Sequence, residues 1–288
     1  MKKGKFTIKD FNKLYPDDKA CLDEIFRNRY GDLKVCPGCK KETNFYKVKG
    51  RKVYACQYCG YQISPLADTI FHKSSTSLKD WFYSIYLFSV SKNGVSAKEL
   101  ERQLGVTYKT AWRIAKQIRL LFKQNKDLLS DIVEIDETYV GGKHKGKRGR
   151  GSENKTSVIG LAQRKGNLKA KVTNNTKSHT IKSLLKDNVE IGINLITDEY
   201  GSYNGLTKLG YKHFTINHGE EKWVEGIAHT NTIEGFWSQL KRSISGTYHC
   251  VSPKYLQHYV DEFVYRYNSR LSSFPIFRKL VSLVGKQA

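Results

Sequence analysis

The sequence predicts a mixed α/β chain in which a small metal-binding module and a helical segment precede one longer α/β layer domain. Three observations carry this. Two Cys-x-x-Cys pairs fall close together near the start, and two amphipathic helical patterns joined by a glycine follow. Farther on, the apolar period changes from helical to alternating. At 288 residues, 39% hydrophobic and 12% aromatic, the chain can build cores for about two domains. A disulfide-dependent mini-protein and a chain disordered throughout are both excluded.

Residues 1–30 read as a helical lead-in, and 31–70 as a zinc ribbon. Cys36-Pro-Gly-Cys39 and Cys56-Gln-Tyr-Cys59 stand sixteen residues apart, and each pair brings two sulfurs to one side of a tight knuckle. Four thiolates close the shell of a Zn²⁺ ion and leave no position for water, so the zinc is expected to be structural. The segment between the pairs alternates around Gly50 as a hairpin would, and Lys47, Lys49, Arg51 and Lys52 suit it to DNA. Cys21 and Cys250 lack a paired spacing and read as packing residues.

Residues 75–125 read as a helix-turn-helix-like DNA-binding region. Ser77 is a plausible N-cap for an apolar helix over 78–91, ended by Asn93-Gly94. In 96–119, Leu100 and Leu104 share a face and Gly105 makes the turn. Thr107 then opens a helix with Ala111, Ile114 and Ile118 inward. Tyr108, Lys109, Arg113 and Lys116 would face a major groove, the alternative being a plain helical connector.

From 130 to 288 the pattern is β-rich at first. The stretch 132–142 alternates and ends in a double glycine. Two further strands pair as a hairpin around Lys165-Gly166-Asn167, 179–188 is helical, and 193–203 contains an apolar strand that stops at an acid. A further strand at 212–217 and a helix over 231–244 follow. Three strands, a helix, a strand and further helices describe an RNase H-like fold. Tyr255, Leu256, Tyr259, Val260, Phe263, Val264 and Tyr267 form a later stripe at helical spacing, expected to be core or a dimer face.

The formal net charge is +23, from 50 Lys+Arg against 27 Asp+Glu, which points to a polyanionic partner. A membrane span is not expected. The best apolar run, 81–90, falls short of about 20 residues and is interrupted by Tyr83, Ser84, Tyr86 and Ser89. The first residues are basic but carry no apolar h-region, so no secretory signal is expected either. Lys143, Lys145, Lys147, Arg148 and Arg150 sit among glycines in a basic stretch beside the first long strand, suited to phosphate contact.

Within this basic field, three acids fall where the fold would bring carboxylates together. Asp136 lies within the first long strand, Asp198 ends the later strand, and Glu234 sits on the helix. On that helix Ile233, Phe236, Trp237, Leu240 and Ile244 form the inward stripe, so Trp237 reads as packing, and Glu234 and Lys241 project from one flank. Phosphodiester transfer uses two Mg²⁺ ions about 3.5–4 Å apart, and hard ions take oxygen ligands. Asp136 would bridge both, Asp198 and Glu234 would hold one each, and Lys241 would grip phosphate. Solvent-exposed acids without a shared role are the alternative at this point. His229, just before the helix, is a candidate DNA contact or cap.

Four stretches in order, EIDETYVGGK, ITDEYGSYNGL, HTNTIEGFWSQLKRSISGTYH and YLQHYVDEFVYRYNSR, resemble the catalytic core of bacterial insertion-sequence DDE transposases with an N-terminal zinc ribbon. The resemblance runs from the first knuckle to the last stretch. It implies an RNase H-like (integrase-type) core, Mg²⁺ or Mn²⁺, and a triad with a basic residue seven positions on: Asp136, Asp198, Glu234 and Lys241. Part of the group has an asparagine in third place. Asn231 lies one turn before Glu234, which is the stronger metal ligand, so Asn231 is expected to orient Glu234 or the DNA; Arg242 is a further expected DNA contact. A transposase so built would bind terminal inverted repeats, free 3′-OH ends and join them to a target duplex. It would work as a homodimer or larger synaptic assembly in a prokaryotic cytoplasm, at the nucleoid. The competing readings are a nuclease or resolvase of the same fold, and a DNA-binding regulator without catalysis.

Overall fold

The computed structural model describes residues 6–141, 155–216 and 229–286. The chain divides into two compact units, one of Met1–Leu121 with Ser272–Ala288 and one of Phe122–Leu271.

In the first unit, local capping writes most helix starts. Helix α1 (Ile8–Leu14) opens on a capping box between Thr7 and Asp10, and α2 (Asp18–Tyr30) on the carboxylate of Asp17. Strands β1 (Phe45–Lys47), β2 (Tyr54–Cys56) and β3 (Gln62–Ile63) then form the antiparallel ribbon. Tyr54 fastens the ribbon to α2, because its ring stacks on Phe26 with centroids 3.9 Å apart and its hydroxyl donates to Asp23. Helix α3 (Leu78–Val90) is capped by Ser77 as expected. Helices α4 (Ala97–Leu104) and α5 (Tyr108–Arg119) open on Ser96 and Thr107. Between them Gly105 adopts a left-handed φ of 64°, which ends α4 and lets the chain turn into α5.

The second unit is built on one five-stranded sheet. Its strands are β4 (Ile132–Gly141), β5 (Lys155–Gln163), β6 (Leu168–Thr173), β7 (Asn194–Asp198) and β8 (Lys212–Ile216), in the order β6-β5-β4-β7-β8. The first three are antiparallel neighbours; β7 and β8 add in parallel beside β4. A parallel addition needs a crossover, and α6 (Ser178–Asn188) supplies it, packing Ile181 and Leu185 on one sheet face with Val133, Ile135, Ile159 and Leu195. On the other face, α7 (Asn231–Ser243) and α8 (Pro253–Asn268) bury Ile233, Phe236, Trp237, Leu240, Val260 and Phe263 against Val140, Val158 and Ala162. The stripe on α8 is thus core. This order and these directions are those of the RNase H-like class.

The outer edge of β6 is closed by amide side chains. Asn268 donates to the Leu168 carbonyl at 2.9 Å and accepts from its N–H at 2.8 Å. Gln124 does the same for Ala170, at 2.7 and 3.1 Å, and Gln257 accepts from the Val172 N–H at 2.8 Å. Three amides thereby stand where a neighbouring strand would.

After Leu271 the chain returns to the first unit as α9 (Ile276–Leu283). The expected catalytic segment of 130–288 is therefore too long by this helix. The reason is Phe277, fully buried in an aromatic cluster with Phe11, Tyr15 and Phe82 at centroid distances of 5.6–6.4 Å. Such packing between the two ends of the chain leaves no local mark. Phe277→Ala is expected to lower unfolding free energy by about 3–5 kcal/mol in urea, with α9 losing its amide protection. A loss below about 1 kcal/mol would contradict this packing.

Candidate active site

Alternation along β4 sends Glu134, Asp136 and Thr138 to the sheet face that α7 covers, and Ile135 and Glu137 to the other. Asp136 is half-buried there. One of its carboxylate oxygens accepts from the Glu137 N–H at 2.8 Å and the other from the Trp237 indole N–H at 3.1 Å. Burial pushes this carboxyl up to about 7, with the charges of Glu137 and Asp198 adding in the same direction, against the two hydrogen bonds.

Asp198 closes β7. The parallel register pairs Ile132 with Asn194 and Glu134 with Ile196; Asp136 and Asp198 each lie two residues beyond that last pair, close enough for the charge of Asp198 to raise Asp136. One Asp198 oxygen accepts from the Tyr200 N–H at 3.0 Å. Two carboxylates thus stand near one another on neighbouring strands, and the charge of Asp198 disfavours that of Asp136. A divalent cation relieves that repulsion, and hard oxygen donors are what Mg²⁺ or Mn²⁺ takes, so the pair fits such an ion.

Glu234 lies in the first turn of α7, exposed, and accepts from the Thr230 hydroxyl at 2.6 Å. Asn231, one turn earlier, and Lys241 and Arg242 in the last turn are exposed as well. The structure therefore brings Asp136 and Asp198 together and holds Glu234 on the adjacent helix. Among the described residues, only the four cysteines form a group of ligand atoms all within 4.8 Å of one another. The three carboxylates are more widely spread.

Packing of α7 on the sheet depends on a position that no local pattern singles out. Gly160 of β5 pairs with Asp136, and a Cβ there would come within 2.6 Å of both Ile233 Cδ1 and Trp237 Cζ2. Only a glycine lets the indole lie flat enough to reach Asp136. Gly160→Ala is expected to cost about 1–3 kcal/mol in chemical denaturation and to shift Trp237 fluorescence; wild-type values for both would refute the close fit. Trp237 is packing, as the stripe predicts, yet it is also a hydrogen-bond donor to the site. Glu134 is the other residue that pattern reading passes over. His229 stands beside it, with ring Nδ1 3.5 Å from Glu134 Oε1 and its carbonyl accepting from Arg164 at 2.6 Å.

Two family descriptions match this chain in order: a transposase zinc-ribbon domain over residues 16–62 and an ISXO2-like transposase domain over 128–268. Together they take in most of its length. The chain belongs to the ISXO2-like insertion-sequence transposases. A relative, an uncharacterized protein in transposable element ISH50 of Halobacterium salinarum, is 26% identical over 257 residues, covering 81% of this transposase and 85% of that protein. An uncharacterized transposase-like protein of Haemophilus influenzae is 27% identical over 112 residues, covering 38% of this chain and 89% of its own. Among solved structures, an intasome of simian T-cell lymphotropic virus with PP2A regulatory subunit B56 gamma matches with TM-score 0.32 and 17% identity over 64% of each chain. The Mos1 strand transfer complex matches with TM-score 0.30 and 11% identity, over 72% of this transposase and 75% of that chain.

The transposase's ribbon forms the expected cysteine cluster. Cys36 and Cys59 sulfurs are 3.6 Å apart and Cys39 and Cys56 sulfurs 3.9 Å apart. Tetrahedral Zn²⁺ with Zn–S bonds of about 2.3 Å separates its sulfurs by about 3.8 Å, so the thiols are already set for the ion. Although burial opposes it, donation from Thr43 and from the Cys59 and Tyr58 N–H groups brings the Cys56 thiol down to about 6.

On α5, Lys109 is exposed, whereas Arg113 is half-buried and donates to the His72 carbonyl at 3.0 Å. Lys116 lies 5.5 Å above the Trp112 ring. The expected contacts Lys143, Lys145, Lys147, Arg148 and Arg150 fall outside the described residues. No described helix is long and apolar enough to cross a membrane.

Proposed function

We propose that this transposase frees 3′-OH ends of its element and joins them to target DNA, with Asp136, Asp198 and Glu234 holding Mg²⁺ or Mn²⁺. The observation that supports this is the nearness of Asp136 and Asp198 on the parallel strands β4 and β7, close enough for the charge of Asp198 to raise Asp136, with α7 held to Asp136 through Trp237. When bound, the ions would supply an activated attacking oxygen and charge neutralisation at the leaving oxygen. Asp136, raised toward neutrality by burial, gains most from such cations, and Trp237 and the Glu137 N–H keep its carboxylate aimed. Glu234 reaches the same region from α7, with Asn231 to orient it. Lys241 and Arg242, exposed on the last turn, hold phosphate near the reacting bond. The end hydroxyl forms a new P–O bond as the target's P–O3′ bond breaks, so one phosphodiester replaces another and no ATP is consumed.

The zinc ribbon and α4–α5 would bind the terminal inverted repeats, with Lys109, Arg113 and Lys116 toward DNA and the 143–150 stretch against phosphate near the site. Two ends require two copies, hence a dimer or larger assembly in a prokaryotic cytoplasm. The test is an end-joining assay with repeat-ended DNA, target plasmid and Mn²⁺. Joined products support the reading. Cleavage without joining would reassign the protein as a nuclease, and repeat binding with neither would leave a regulator.

A further inference from the structure

Glu134 takes no part in the proposed chemistry, yet it is fully buried and heavily bonded. Its Oε1 accepts from Arg164 Nε at 2.8 Å and the Thr232 hydroxyl at 2.9 Å. Its Oε2 accepts from the N–H groups of Thr232 and Ile233 at 2.9 and 3.0 Å. Arg164 also donates to the His229 carbonyl, so the turn after β5 and the approach to α7 join the same network. A helix start presents unpaired N–H groups and partial positive charge, and a buried carboxylate is tolerated where it meets both.

The spacing of this contact is informative. Glu134 and Asp136 share one face of β4, a rise of about 6.6–6.8 Å for two strand residues. Their partners on α7, Thr232 and Ile233 for one and Trp237 for the other, are four to five residues apart, a rise of about 6–7.5 Å. Strand and helix are therefore fastened at two points of matching separation, which removes both sliding and rolling of α7. Glu234 stands between those points.

We propose that Glu134 is a positioning residue: by anchoring the first turn of α7 it sets where Glu234 stands against Asp136. The inference rests on the reading of Asp136, Asp198 and Glu234 as one metal-binding set. A glutamine of the same size cannot replace it, because its NH₂ would face N–H and guanidinium donors with no acceptor to offer them.

The test uses the full-length protein, Mn²⁺ as probe and E134Q as variant. Strand transfer is measured against Mn²⁺ concentration at saturating end DNA, free Mn²⁺ is read by its paramagnetic resonance without DNA, and a thermal melt reports folding. The expected result is a folded protein with unchanged end-DNA affinity whose half-saturating Mn²⁺ rises about 10- to 100-fold in both measurements. Excess Mn²⁺ should recover part of the rate. Wild-type Mn²⁺ dependence would overturn the proposal, as would a rate loss that excess Mn²⁺ leaves untouched and that follows the unfolded fraction. Should E134Q fail to fold, Thr232→Val decides, since it removes a single hydroxyl contact to Glu134: a several-fold rise supports positioning and an unchanged value overturns it. Asp136→Asn separates the two claims. If that variant joins ends as wild type does, the metal-site reading itself fails, whatever Glu134 does.

Discussion

Asp136→Asn is expected to reduce strand transfer on the order of a thousandfold while leaving end-DNA binding intact. Loss of several kcal/mol of transition-state charge stabilisation, at tenfold per 1.36 kcal/mol, sets that scale. The same carboxyl predicts a pH signature that needs no catalysis. Its value in the folded protein is raised from 3.8 to about 7, so the folded state holds the proton more tightly than the unfolded chain. Stability therefore falls as pH climbs through that window and stays lowered above it. A divalent ion competes with the proton for this carboxylate, so Mn²⁺ should raise the melting temperature more at about pH 8 than at about pH 6. In Asp136→Asn both the pH slope and the Mn²⁺ response should shrink. Equal Mn²⁺ stabilisation at the two pH values would remove Asp136 from the ligand set.

Zinc removal should have the second large effect. Ion binding in small zinc modules is worth about 10–16 kcal/mol, as much as the whole stability of an ordinary domain. Chelation, or Cys39→Ser, is thus expected to unfold the three-stranded ribbon, seen as loss of its amide protection, and to abolish binding to repeat-ended DNA. The remaining thiols provide an internal control. Cys21, buried in α2, has its thiol pushed up to about 12 by desolvation, whereas Cys56 is brought down to about 6. Cys21→Ala should therefore keep one zinc per chain. Repeat binding that survives zinc removal would take the ribbon out of end recognition.

How much of this was readable beforehand follows from the range of the interactions involved. The strand carrying Asp136 and the helix carrying Glu234 announce themselves through period two and period 3.6, because each buries one face. The cysteine knuckles do so through spacing, since four ligands must meet one ion. Glu134 does not, although the signal was present: it is an acid two residues before Asp136 on the same face of a strand whose other positions are mostly apolar. Pattern reading treats such a residue as a solvated end, because its partners, Thr232 and Ile233, lie 98 and 99 positions away. Gly160 is hidden for the same reason, as its need arises from Trp237 on a distant helix. The placement of α9 with the first unit is likewise a long-range aromatic packing event.

The amides along β6 bear on what happens when many copies crowd together. An open sheet border recruits strands from any neighbour, and growth by strand addition is one route to fibres and exchanged domains. Here the main-chain groups of Leu168 and Ala170 and the N–H of Val172 are already satisfied by Asn268, Gln124 and Gln257. That border is finished. Any copy approaching this flank would therefore have to meet it through side chains rather than by adding a strand to the sheet.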